Sequence, residues 1–123
     1  MRIALLGLGL IGGSIARAVR SYGWPVAAWT PAGEGPRQAL EAGVIDEVAP
    51  TVAAAVAGAD LVVLAAPASA CLALLDELAG PARAALGPDA VVTDVASTKA
   101  LLGEHARAVG LRFVGGHPMA GRE

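Results

Sequence analysis

Three glycines near the start of the chain, Gly7, Gly9 and Gly12, stand in GxGxxG spacing, and two other chemically equipped stretches lie far from them in sequence. One is Asp-Val-Ala-Ser-Thr-Lys over 94–99, with two hydroxyls between an acid and a base. The other is Gly-Gly-His-Pro-Met-Ala-Gly-Arg-Glu over 115–123, which carries His117. The glycines suit an anion. Gly7 permits a tight turn, Gly9 has no Cβ and lets a diphosphate approach the backbone, and Gly12 lets a helix pack close to a strand. Free N–H groups in the first helical turn, with a dipole equivalent to about half a positive charge, would face that anion. An imidazole has an unperturbed pKa near ~6.5, so His117 is suited to accept a proton near neutral pH.

These residues matter only if the elements around them bring them together. Residues 3–6 are a short apolar run, read as a buried strand, and Ile11, Ile15 and Val19 recur every four residues as one face of a helix. The glycines therefore lie in a strand-to-helix turn, the context that makes the motif credible. Further strands are expected at 26–29, 61–65, 90–93 and 112–114, while 44–48 is ambiguous and short at best. Between them come a short helix over 37–42 stopped by Gly43, and a helix capped by Thr51 that ends near Gly58. A helix over 69–78 follows, with a second piece to Leu86 after Gly80 and Pro81. The last helix runs from Ser97 or Thr98 to Val109. Strands alternating with helices indicate right-handed crossovers, and apolar strands without polar alternation indicate a sheet covered on both faces. The expectation is an α/β, Rossmann-like doubly wound parallel sheet of about five strands in the order 3-2-1-4-5, the third being 61–65. In such a sheet ligands bind beyond the carboxyl ends of the strands. Residues 7–12, Ala66, Pro67, 94–99 and His117 should then meet at one edge.

Composition narrows the partners. A chain of 123 residues, 55% hydrophobic and 16% charged, builds one domain with a real core. Its net charge of −2 and lack of a basic cluster argue against nucleic acid. The single cysteine, Cys71, excludes an intrachain disulfide and sits in an apolar helical run as a buried, inert thiol. The longest apolar run, 61–75, is interrupted by Pro67 and Ser69 and does not read as a membrane span. The opening residues do not read as a signal peptide, because glycine breaks the apolar stretch and Arg17 and Arg20 follow it. A cytoplasmic protein without a metal site is expected.

The end of the second strand speaks to the choice of nucleotide. NAD sites place an acid there for the ribose hydroxyls, but this chain reads Ala-Trp-Thr-Pro over 28–31, and the first acid is Glu34. No carboxylate repels an additional phosphate, which leans the reading of NAD(P) toward NADP. Thr30 is placed to donate to that phosphate. Arg37 is either within reach of it or an exposed helix charge.

Taken with Gly-Leu-Gly-Leu-Ile-Gly-Gly-Ser over 7–14, the two later stretches resemble the nucleotide-binding half of the prephenate/arogenate dehydrogenases of tyrosine biosynthesis. That family pairs such an opening with an Asp-x-(Gly/Ala)-Ser-x-Lys turn and a Gly-Gly-His-Pro-(Met/Ile)-Ala-Gly-x-Glu segment. The resemblance spans the whole chain and implies an NAD(P)-dependent oxidative decarboxylation of prephenate or arogenate. It implies that His117 is the catalytic base, that Ser97 contacts both substrate and nicotinamide, and that Glu123 shapes the substrate pocket. With the sheet-edge reading above, the cofactor set is expected to be Gly7, Leu8, Gly9, Leu10, Ile11, Gly12, Thr30, Ala66, Pro67 and Ser97. Asp94 reads as a strand-end cap or a partner for Lys99, and His105 as a surface residue. Members of that family continue into a helical domain that dimerises and completes the substrate pocket. The expectation is therefore a nucleotide domain over 1–123, truncated inside the last motif, with little activity alone and a homodimer once the helical domain is present. The competing readings are a stand-alone nucleotide-sensing module and a fragment of a 3-hydroxyacid or 6-phosphogluconate-type dehydrogenase.

Overall fold

The computed structural model describes residues 1–95 and 99–115. Strands and helices alternate along the chain: β1 (Ile3–Leu6), α1 (Leu10–Arg20), β2 (Val26–Trp29), α2 (Glu34–Glu41), β3 (Glu47–Val48), α3 (Val52–Val56), β4 (Leu61–Leu64), α4 (Ala68–Ala79), β5 (Val91–Asp94), α5 (Lys99–Ala108) and β6 (Phe113–Val114). All six strands are parallel, in the order β3-β2-β1-β4-β5-β6. The α/β doubly wound sheet expected from the apolar runs is thus present.

Strand parity divides the core in two. Ala4 and Leu6 point to one face and join Val62, Leu64 and Val92 against α3, α4 and α5. Ile3 and Leu5 point to the other face and join Val26, Ala28 and Val63 against α1 and α2. Each leucine fully removed from water contributes about 1.5–3 kcal/mol. β1 is buried along its whole length because it has a neighbouring strand on each side and helices above and below.

Three details differ from the sequence expectation. The sheet has six strands, and the order 3-2-1-4-5 is not the one formed. The run at Leu61–Leu64 pairs directly with β1, and the ambiguous segment supplies the outer strand through two residue pairs, Ala27↔Glu47 and Ala28↔Val48. Two residues are enough at an edge, where a strand needs only one neighbour. Second, α2 begins at Glu34, three residues earlier than expected. Gly33 takes φ +76 as its N-cap, and Pro36 is tolerated in the first turn, where its missing N–H has no helical partner in any case. Third, the residues after Gly80 form turns and not a second helical piece. Elsewhere the local reading holds: Thr51 Oγ1 accepts from the Ala54 N–H at 3.0 Å and caps α3.

Candidate nucleotide site

The turn between β1 and α1 is built from three glycines with three different jobs. Gly7 takes φ +100, and its N–H donates to the Trp29 carbonyl at 2.8 Å. A Cβ on Gly7 would lie 2.5 Å from the Ala65 carbonyl oxygen, so no side chain fits. At Gly12 a Cβ would come 3.1 Å from the Ala65 Cβ and 3.3 Å from the Gly7 carbonyl oxygen, which is how close α1 sits to the end of β4. Gly9 is different: a Cβ there would meet nothing within 4 Å. Nothing within the described protein requires glycine at that position, whereas a ligand approaching the backbone would.

Gly9 is also the N-cap of α1. Among the described residues no side chain caps this helix, and its first turn holds no acid. Its leading amides are therefore left for an external anion, aided by the helix dipole. Leu10 is 94% exposed and Ile11 is exposed beside it, so apolar surface borders the cradle.

A cavity of ≈ 620 Å³ flanks the glycine turn, lined by Leu8, Gly9, Leu10, Gly13 and Arg17 among others, and two more lie past the ends of β2 and β4. The larger of these two, of ≈ 490 Å³, is lined by Gly7, Trp29, Pro31, Pro50, Ala66 and Leu74 among others. The smaller, of ≈ 280 Å³, is lined by Thr30, Gly33 and Arg37, and it shares Pro31 and Pro50 with the first. Thr30 Oγ1 accepts from the Gly33 N–H at 2.9 Å and closes the turn after β2.

Ala66 is held from below. The Cys71 Sγ donates to the Ala66 carbonyl at 3.3 Å, and burial pushes the thiol pKa up, so Cys71 is a structural residue and not a nucleophile. Pro67 follows at the N-cap of α4. Asp94 is wholly buried at the end of β5, level with Leu64 of β4.

The structure thus brings Gly7, Leu8, Gly9, Leu10, Ile11, Gly12, Thr30, Ala66 and Pro67 to one sheet edge, where β5 and β6 also end side by side, with Thr93 level with Val114. Ser97, His117 and Glu123 lie outside the described residues. Trp29, Pro50 and Leu74 line the ≈ 490 Å³ cavity without having been expected from sequence. Trp29 alone carried a signal, as the last residue of a strand that ends at the ligand edge. His105 lies at the surface as expected, where its Nε2 sits 2.7 Å from Asp76 Oδ1 and ties α5 to α4. Among the described residues no group of three or more metal-ligating side chains is found, and no helix is long and apolar enough to cross a membrane.

Residues 15–123 match the family model described as prephenate dehydrogenase, nucleotide-binding domain. The chain is similar to a prephenate dehydrogenase of Bacillus subtilis (strain 168), at 40% identity over 97% of this chain and 33% of the relative. It is similar in structure to Synechocystis arogenate dehydrogenase, with a TM-score of 0.87 and 35% identity over 98% of this chain and 42% of that one. It is also similar to prephenate dehydrogenase from A. aeolicus in complex with hydroxyphenyl propionate and NAD+, with a TM-score of 0.84 and 31% identity over 100% of this chain and 43% of that one. The chain spans about a third of the length of the curated relatives it matches.

Proposed function

Because the chain belongs to the prephenate dehydrogenase family, matching its nucleotide-binding domain, we propose that residues 1–123 are the NAD(P)-binding domain of an enzyme that oxidatively decarboxylates prephenate or arogenate. The observation that carries the reading is the uncapped first turn of α1 behind an unobstructed Gly9, at the edge where β5 and β6 end as neighbours. The amides around Gly9 to Gly12 would hold the pyrophosphate, and the cavity walled by Trp29 and Ala66 would take the adenosine half. The A. aeolicus relative in complex with NAD+ supports a dinucleotide at this edge.

When bound, the oxidised nicotinamide supplies the hydride acceptor. His117 takes the proton from the substrate's ring hydroxyl as hydride leaves the same carbon. The ring carboxylate then departs as carbon dioxide, and the ring becomes aromatic, so the step does not reverse. Ser97 orients substrate against nicotinamide, and Glu123 shapes the substrate pocket. We propose NADP+ as the preferred form, because β2 ends on Trp29 and the turn after it, from Thr30 to Gly33, holds no acid. Dimerisation and the remaining substrate contacts belong to a helical domain that the family resemblance implies.

The test joins this chain to the part of the Bacillus subtilis relative that it does not cover and follows reduced nucleotide with prephenate and with arogenate. Turnover is expected with at least one of them. With His117→Asn it should fall by about 10²-fold or more. In the unmutated protein the rate should drop as pH falls through about 6.5, where the imidazole becomes protonated and can no longer accept a proton. An unchanged rate in His117→Asn would refute the base assignment.

A further inference from the structure

We propose that the cavity between α1 and α2 is a binding site for a small organic carboxylate with a slim apolar body, and that Arg17 holds the carboxylate. The site is separate from the dinucleotide cradle, although the two meet at Gly9.

Shape comes first. At ≈ 620 Å³ this cavity is larger than either of the two past β2 and β4. Gly9, Gly13 and Arg17 line it and recur every four residues, so they share one face of α1. A Cβ on Gly13 would meet nothing within 4 Å. Glycine inside a helix is disfavoured relative to alanine, and no contact within the described protein calls for it here. Arg17 lies about 12 Å from Gly9 along the axis. Its side chain leans back toward the start of the helix, and the stretch that remains suits a short acyl chain.

Polarity comes second. Leu8, Leu10, Ala42 and Val44 give the cavity an apolar wall. Leu10 is 94% exposed, so an apolar chain laid against it would take bare surface out of water. The polar lining comes from Ser14, Arg17 and Gln38, on the two helices that bound the cavity.

Charge comes third. Arg17 is the one charged side chain among the described residues that line this cavity. Arg2, Arg20 and Arg112 are paired with Glu47, Asp46 and Asp89, whereas Arg17 has no carboxylate partner among the described residues. A guanidinium takes a carboxylate through two parallel N–H bonds. Inorganic phosphate would meet the charge and leave the apolar wall wet. A neutral alcohol would cover the wall and leave the charge unmet. A carboxylate on an apolar chain uses both.

The experiment titrates hexanoate, 1-hexanol and inorganic phosphate into the protein and follows its amides by NMR, with and without NADP+. Hexanoate should bind with a Kd of about 1 mM and shift the amides of Gly9, Gly13 and Gln38. The alcohol and the phosphate should each bind at least about tenfold more weakly. Arg17→Gln should weaken hexanoate by at least about fivefold and leave NADP+ within about twofold, and Arg17→Lys should recover part of the loss. Gly13→Ala should weaken hexanoate while raising the melting temperature, which separates a ligand's need for that glycine from the fold's. Hexanoate should still bind when NADP+ is saturating. Equal binding of 1-hexanol would overturn the proposal, since the cavity would then be a greasy groove only. Equal binding of phosphate would overturn it as an adventitious ion only. Displacement of hexanoate by NADP+ would assign the cavity to the nucleotide and overturn the separate site, leaving the dinucleotide reading standing. Absence of shifts up to about 20 mM hexanoate would remove the site altogether.

Discussion

The two halves of the sheet are finished to different degrees. Around β1 and β2 both faces are covered, and Ile3, Ala4, Leu5, Leu6, Val26, Ala27 and Ala28 have no exposure at all. At β5 the pattern alternates: Val92 and Asp94 are buried against α4 and α5, but Val91 and Thr93 on the opposite face are only half-buried. Val114 of β6 is 62% exposed. Among the described residues, then, the half that would hold the nucleotide is closed upon itself, while the half leading to the Ser97 and His117 motifs has one face only partly covered. Rigid packing suits the half that must fix a pyrophosphate to within a fraction of an ångström.

Substitutions in the two halves should separate this contrast. The largest effect is expected for Leu5→Ala, which empties a site between β1 and α1 and should cost about 3 kcal/mol in denaturant unfolding. Val114→Ser, an apolar loss of similar kind on the partly covered side, should stay within about 0.5 kcal/mol. Equal costs would erase the distinction between the halves.

The next effect falls on binding and not on stability. Gly9→Ala should leave the unfolding free energy within about 1 kcal/mol, because a Cβ there meets no protein atom, and yet weaken nucleotide binding by about tenfold or more by occupying the pyrophosphate's approach. Thermal melts together with titration check both. A large loss of stability would mean that Gly9 serves the fold.

The smallest effect is electrostatic. Asp46 accepts from the buried Val26 N–H at 2.8 Å, and that bond, with help from Arg20, holds its carboxyl below the usual value despite some desolvation. A lowered native pKa gives stability that is present above the unfolded value and is lost as pH falls through the native one. Since Asp46 is partly in solvent, its contribution should be under about 1 kcal/mol. Asp46→Asn should flatten the stability profile below about pH 4 and leave the half with β5 and β6 untouched.

Much of this was readable from the residues, for identifiable reasons. Gly7, Gly9 and Gly12 constrain the backbone directly, so their spacing carries geometry. The apolar runs at β1, β4 and β5 read as buried strands because each is short and bounded by polar or turn residues. What escaped reading was set by tertiary contact. β3 forms from two residues because β2 offers an open edge, and the run 44–48 by itself left strand and loop undecided. The start of α2 depends on Gly33 adopting a positive φ, which a glycine permits but does not require. His105 meets Asp76 across two helices, at a separation in sequence that no local pattern encodes. Trp29 and Pro50 line one cavity only because β2 and the segment before α3 end beside each other.

The most direct measurement is an amide-resolved NMR titration of the protein with NADP+. The account predicts that the largest shift changes fall on the amides of Gly9, Leu10, Ile11 and Gly12, with a second set at Ala66 and Gly33. Shift changes concentrated instead around Arg83 and Arg112, at the cavity on the opposite rim of the sheet, with the glycine amides unmoved, would contradict it.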